Sequence, residues 1–210
     1  MLRRPRLLRL AILLALAACR EVAAPGSPLS LQGDVLGSST TGIHILRHSP
    51  AAPRLETYRI AFWARRGTQT TVSVHYRRAP GQQFADEFLR FRIPINGLVA
   101  GANGVPLQRG DSVRIILTID TVLFKVDFQP SGVVFSKSSP AQLAIWYKNA
   151  NPDLNDDGVV DDTDAALEQQ LAIWSASTRD AWRQLASKND SAQKLVAAEV
   201  HHFCEFAVSF

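Results

Sequence analysis

From about Thr40 onward, apolar residues recur at every second position. Successive sets are Ile43 and Ile45; Tyr58, Ile60 and Phe62; Val72, Val74 and Tyr76; and Leu89, Phe91 and Ile93. They continue with Val113, Ile115, Leu117 and Ile119; Phe124, Val126 and Phe128; and Leu143, Ile145 and Tyr147. An extended chain turns successive side chains to opposite faces, so each set predicts a strand with one face on a core and the other in solvent. Gly67, Pro80-Gly81, Asn96-Gly97, Gly110-Asp111 and Pro130-Ser131-Gly132 interrupt the runs where turns are needed. This strand–turn rhythm predicts an all-β fold, an antiparallel β-sandwich over residues 39–210.

Two stretches read differently. Ala165 to Ser187 begins as AALEQQLAIW, which predicts a short helical turn after Asp164, then a strand carrying Leu171 and Ile173. Leu195 to Phe210 places His202, Phe206, Val208 and Phe210 on even positions and predicts one or two closing strands with those residues inward. A closing strand would bury the carboxyl terminus, which makes truncation there destructive.

The first forty residues have another pattern. Arg3, Arg4, Arg6 and Arg9 precede an uncharged apolar run, Leu10 to Ala18. A run of nine residues at about 1.5 Å each falls short of the roughly 30 Å hydrocarbon core, so it is too short to span a bilayer and has the layout of an export signal, residues 1–18. Residues 19–38, rich in Gly, Pro and small side chains, read as a tether.

Charge supports this division. The chain has 23 Lys plus Arg against 19 Asp plus Glu, a net +4, but four of the arginines and no acid lie in residues 1–18. The rest of the chain is formally neutral, and Arg65-Arg66 and Arg77-Arg78 are short pairs at strand ends. Without a dense basic stripe, nucleic-acid binding by counterion release is not expected. Only Cys19 and Cys204 are present. If Cys19 is modified, no intramolecular disulfide can form and the fold rests on its core.

The most specific chemistry lies in Asp153-Leu-Asn-Asp-Asp-Gly-Val-Val-Asp-Asp-Thr-Asp164. A hard divalent cation takes six to eight oxygens, and a twelve-residue loop supplies them from positions 1, 3, 5, 7, 9 and 12 with Gly at 6. Counted from Asp153, those are Asp153, Asn155, Asp157, the Val159 carbonyl, Asp161 through water, and Asp164, with Gly158 at the bend. Val160 is expected to face the core, and Asp156 and Asp162 to be exposed. Six aspartates in twelve residues repel one another, and one structural Ca2+ would neutralise them.

Three resemblances add expectations. Leu16-Ala17-Ala18-Cys19 resembles the bacterial lipobox. This implies cleavage before Cys19, its lipidation, a lipid-anchored protein of the cell envelope, and, with Arg20 next, the outer membrane. The acidic loop resembles the EF-hand family, and more narrowly the dockerin variant, although there is one loop rather than two.

Val126-Asp-Phe-Gln-Pro-Ser-Gly-Val-Val-Phe135, followed by Pro140-Ala-Gln-Leu-Ala-Ile-Trp-Tyr147, resembles the ZU-five domain. That likeness implies an immunoglobulin-like or ZU-five-like sandwich. His202-Phe203-Cys204 stands where some relatives of that domain cut themselves between Phe and Ser. It implies speculative autoproteolysis, with Cys204 as nucleophile and His202 or His201 as proton acceptor. No other catalytic pattern is present: GxSxG, HExxH, a P-loop and a dinucleotide fingerprint are all missing. The expected function is thus a non-enzymatic module that binds an envelope protein or polysaccharide, or supports the envelope. Trp63, Trp146, Trp174 and Trp182 offer a sugar-stacking alternative.

Overall fold

The computed structural model describes residues 42–78, 80–177 and 181–210. The expected signal, Cys19 and the tether lie outside the described residues.

The strand runs fold as their alternation predicts, except that the Ile43 and Ile45 segment forms isolated bridges and not a strand. In chain order they are β1 (Arg59–Arg65), β2 (Thr70–His75), β3 (Glu87–Ile93), β4 (Leu98–Ala100), β5 (Ser112–Ile119), β6 (Lys125–Gln129), β7 (Val134–Phe135) and β8 (Ala141–Trp146). After one helix, α1 (Asp162–Glu168), come β9 (Ala172–Ala176), β10 (Arg183–Gln184), β11 (Ser187–Asp190), β12 (Leu195–Val200) and β13 (Glu205–Ser209). One antiparallel sheet has the order β1-β5-β6-β13-β9-β10 and the other β11-β12-β8-β3-β2; β4 and β7 form a small ribbon. The two large sheets pack as a β-sandwich.

The core between them is aromatic. Seven of the ten phenylalanines, Phe88, Phe91, Phe124, Phe128, Phe135, Phe203 and Phe206, are fully buried. The Phe203 and Phe128 rings stack at 4.8 Å and 10°, while Phe91, Phe135 and Phe206 meet this pair tilted or edge-on. Such offset and edge-to-face contacts stabilise beyond the area they bury. Leu89, Phe91 and Ile93 of β3 and Leu143 and Ile145 of β8 fill the same space from alternate positions.

The start of the described chain meets the last strand. Ile45 bridges Ser209, and the Ser209 hydroxyl donates to the His44 carbonyl at 2.6 Å. β13, the last strand, lies between β6 and β9, with Phe206, Ala207 and Val208 all buried. The chain thus closes through an interior strand, which is why its final residues belong to the core.

One parity expectation is corrected here. His202 is exposed and Phe203 is buried instead. Between β12 and β13 the chain leaves one sheet for the other, so the alternation does not run through residues 201–204. Bridge pairing of His202 with Val134 turns Phe203 inward.

Candidate metal centre

The acidic loop lies in the long connection that carries the chain from β8 in the five-stranded sheet to β9 in the six-stranded one. Its backbone turns where the sequence allows. Gly158 takes φ +87°, which glycine adopts without a Cβ clash, and Asp156 takes φ +57°, a region aspartate tolerates better than most residues.

Positions 9 and 12 of the loop are three apart, the same spacing as a helix capping box. Asp161 caps α1: its Oδ1 accepts the Thr163 N–H at 2.7 Å, and Asp164 Oδ2 accepts the Asp161 N–H at 2.9 Å. Asp164 Oδ1 also accepts the N–H groups of Leu154 (2.6 Å) and Asn155 (3.4 Å). One buried carboxylate thereby joins the two ends of the loop. The Asp161 N–H first, and then those of Leu154 and Asn155, hold its pKa below the usual aspartate value against the opposing effect of burial.

The amino-terminal half closes on itself in the same manner. Asp153 accepts from the N–H of Asp157 (3.2 Å) and of Gly158 (2.8 Å). Asn155 Oδ1 accepts the Asp157 N–H at 3.1 Å, and Asp157 Oδ1 accepts that of Val159 at 2.8 Å. Backbone donors aimed at carboxylates offset much of the charge repulsion between neighbouring aspartates.

As a donor set the loop suits a hard cation: carboxylates, one amide oxygen and backbone carbonyls, without sulfur or imidazole among the six positions. Among the described residues, however, no three His, Cys, Asp or Glu side chains stand close enough together to form a metal-holding group. Asp164 spends its oxygens on backbone N–H groups, and Asp157, Asp161 and Asp162 are exposed.

Val160 does not face the core. It is 61 % exposed, and Leu154, 8 % exposed, is the apolar residue that the loop buries. With one loop only, nothing packs over position 8, whereas Leu154 sits next to the Asp164 carboxylate and is drawn inward with it. Asp156 is exposed as expected, and its Oδ2 lies 3.6 Å from His44 Nε2, where the described chain begins.

A polar cluster without any signal in the sequence holds α1 against the sheet. The Tyr147 hydroxyl lies 3.1 Å from Glu168 Oε1 and 3.0 Å from Asn189 Oδ1; Lys194 Nζ donates to the same Glu168 oxygen at 2.6 Å. Asn189 Nδ2 donates to the Glu168 carbonyl at 2.6 Å. Burial, reinforced by the Glu168 charge, raises the Tyr147 pKa, so the phenol stays protonated as a donor.

The His202-Phe203-Cys204 run has a different character. Cys204 is buried, and burial pushes its thiol up to about 12, which keeps it protonated. The Phe203 carbonyl accepts the Gly132 N–H at 3.1 Å, while His201 and His202 are exposed. The four tryptophans do not form one platform: Trp63 is 64 % exposed on edge strand β1, whereas Trp146 lies in the other sheet beneath Arg90. No family model, curated protein or solved structure matches this chain.

Proposed function

We propose that the chain is an exported lipoprotein, anchored through Cys19 in the cell envelope, whose β-sandwich is a non-catalytic binding or structural module braced by one calcium ion at residues 153–164. The observation that carries this reading is the position of the acidic loop. It lies in the connection between the two sheets, and Asp164 ties its ends together, so a cation there would stabilise that connection rather than a peripheral turn. Asp153, Asn155, Asp157, Asp161 and Asp164 would hold it together with the Val159 carbonyl. Calcium supplies charge neutralisation and a fixed coordination shell, with no chemistry of its own. The absence of a catalytic pattern in the sequence and the protonated state of Cys204 favour binding or support over turnover.

Thermal melting tests the metal. A ligand that binds only the folded state stabilises it by RT ln(1 + [L]/Kd), about 2.7 kcal/mol at a hundredfold excess over Kd. Millimolar calcium is expected to raise the melting temperature relative to chelator, and the Asp153→Ala, Asp157→Ala double variant is expected to lose that difference. An unchanged wild-type melting temperature sinks the metal assignment. The anchor is tested separately: labelled palmitate is expected to enter the wild-type protein and fail to enter Cys19→Ala, with the wild type in the outer-membrane fraction.

A further inference from the structure

The outward face of the five-stranded sheet carries a groove of about 760 Å³. Strand register determines what lines it. Pairing of β3, β8, β12 and β11 sets Arg90, Ala144, Ala197 and Lys188 in one row across the sheet. The neighbouring row is Arg92, Gln142 and Glu199. On the other side of the first row stand Trp146 and Leu195, whose bulk bounds the low alanine floor. Arg90 and Lys188 are three strand spacings apart, about 14 Å at roughly 4.8 Å each, so two cations face each other over a floor wide enough for one extended chain.

The walls are prepared for an anion. Arg90 is fixed by Glu87, which accepts its Nε at 2.9 Å and pairs with Nη2, by Ser73 on the same carboxylate, and by the Trp146 ring 5.2 Å beneath it. A guanidinium has five N–H donors, so three remain to Arg90. Arg92 gives one to Gln69 Oε1. Lys188 is exposed and has no ion-pair partner among the described residues. Glu87 is occupied by Arg90, which leaves Glu199 as the acid facing Arg92 and Lys188 across the groove.

We propose that this groove binds an extended acidic glycan, a chain of uronate-bearing sugars. The proposal rests on the reading of the sandwich as a binding module and names its ligand-binding face. Carboxylates of the chain pair with Arg92 and Lys188. Sugar hydroxyls exchange hydrogen bonds with Gln142 and Glu199, and the rings lie over Ala144 and Ala197. Charge complementarity selects an anion, and the Gln142 amide and Glu199 carboxylate beside a flat floor select a polyhydroxylated one. A single-stranded nucleic acid would need aromatic faces for its bases, and the ring at this floor, Trp146, already has a guanidinium over it.

The test is affinity electrophoresis and calorimetry of the full chain with polygalacturonate, a neutral glucan and duplex DNA. Polygalacturonate is expected to bind and to weaken with added salt, and the glucan and DNA to fail. Lys188→Gln and Arg92→Gln are each expected to cost about tenfold in affinity, in line with one charge-assisted hydrogen bond. Ala197→Trp, which fills the floor from the solvent side, is expected to abolish binding, while Arg78→Gln in an exposed loop changes nothing. Melting curves of each variant separate lost binding from lost folding. If Lys188→Gln and Ala197→Trp bind as the wild type does, the groove is the wrong face although the module reading stands. Failure of the wild type to bind polygalacturonate, or equal binding of DNA, overturns the glycan assignment; the module reading fails separately, on its calcium melts and its fractionation.

Discussion

In two of its passages from the five-stranded to the six-stranded sheet, β8 to β9 and β12 to β13, the chain solves the same problem in opposite ways. Between β8 and β9 it uses a long polar connection, residues 147–171, held by Asp164 on three backbone N–H groups and by the Lys194–Glu168 pair at 2.6 Å. Between β12 and β13 it uses four residues, 201–204, held by a buried ring. Phe203 stacks on Phe128 at 4.8 Å, and its backbone bonds to Val133 (3.0 Å) and Gly132 (3.1 Å). Apolar burial involves no titrating group, whereas carboxylate bonds depend on protonation and on any bound cation. One crossover is therefore permanent and the other conditional.

The largest break in this comparison is Phe203→Ala. Emptying the centre of the aromatic stack is expected to cost about 3–5 kcal/mol, seen as a fall of roughly 10 °C in the melting temperature. A loss under about 1 kcal/mol would mean that the short crossover is held by its backbone bonds instead.

Acid titration separates the two ends next. His48 stacks on Phe124 at 4.2 Å, and its Nε2 is shut off from solvent without a hydrogen-bond partner among the described residues. Burial lowers its pKa to about 4, against a smaller opposing pull from Asp120. The unfolded chain then binds this proton and the fold refuses it, so stability is full above the ordinary histidine value of 6.5 and falls as pH drops towards about 4. The loss is at most on the order of 3 kcal/mol, and His48→Phe is expected to flatten that window. Asp164 acts lower. Its folded pKa is depressed, so its contribution is present above the ordinary value of 3.8 and is lost as pH falls through the folded one. Asp164→Asn is expected to flatten only this lower segment of the stability curve, while Phe203→Leu is expected to leave both windows in place.

Smaller effects sharpen the picture. Asp161→Ala removes the helix cap and is expected to cost about 1 kcal/mol in chemical denaturation. Asp156→Asn removes an exposed 3.6 Å contact with His44 and is expected to change stability by less than about 0.5 kcal/mol; a larger loss would show that the loop grips the start of the described chain.

Legibility in the sequence tracks the range of the interaction behind each feature. Leu89, Phe91 and Ile93, or Val113 to Ile119, announce strands because alternation is a property of neighbouring residues. The helical turn beside Asp164 and the bend at Gly158 are readable because caps and tight turns are made within a few residues. Val160 escapes such reading because the spacing of a twelve-residue loop says nothing about what packs over position 8, and His202 because alternation stops where the chain changes sheet. The Tyr147–Glu168–Lys194–Asn189 cluster has no signal, since its side-chain bonds span up to 42 residues.

By itself, then, the sequence determined an antiparallel all-β sandwich with one acidic loop and a short helix, because hydrophobic period, turn residues and loop spacing are local. Tertiary structure alone decided that β13 lies inside its sheet, that Phe203 rather than His202 fills the core, and that Arg90, Ala144, Ala197 and Lys188 stand in one row. The physical reason is register: which residues face one another across strands is set by the packing of the whole sandwich, and residues far apart in the chain become neighbours only once every strand has found its partner.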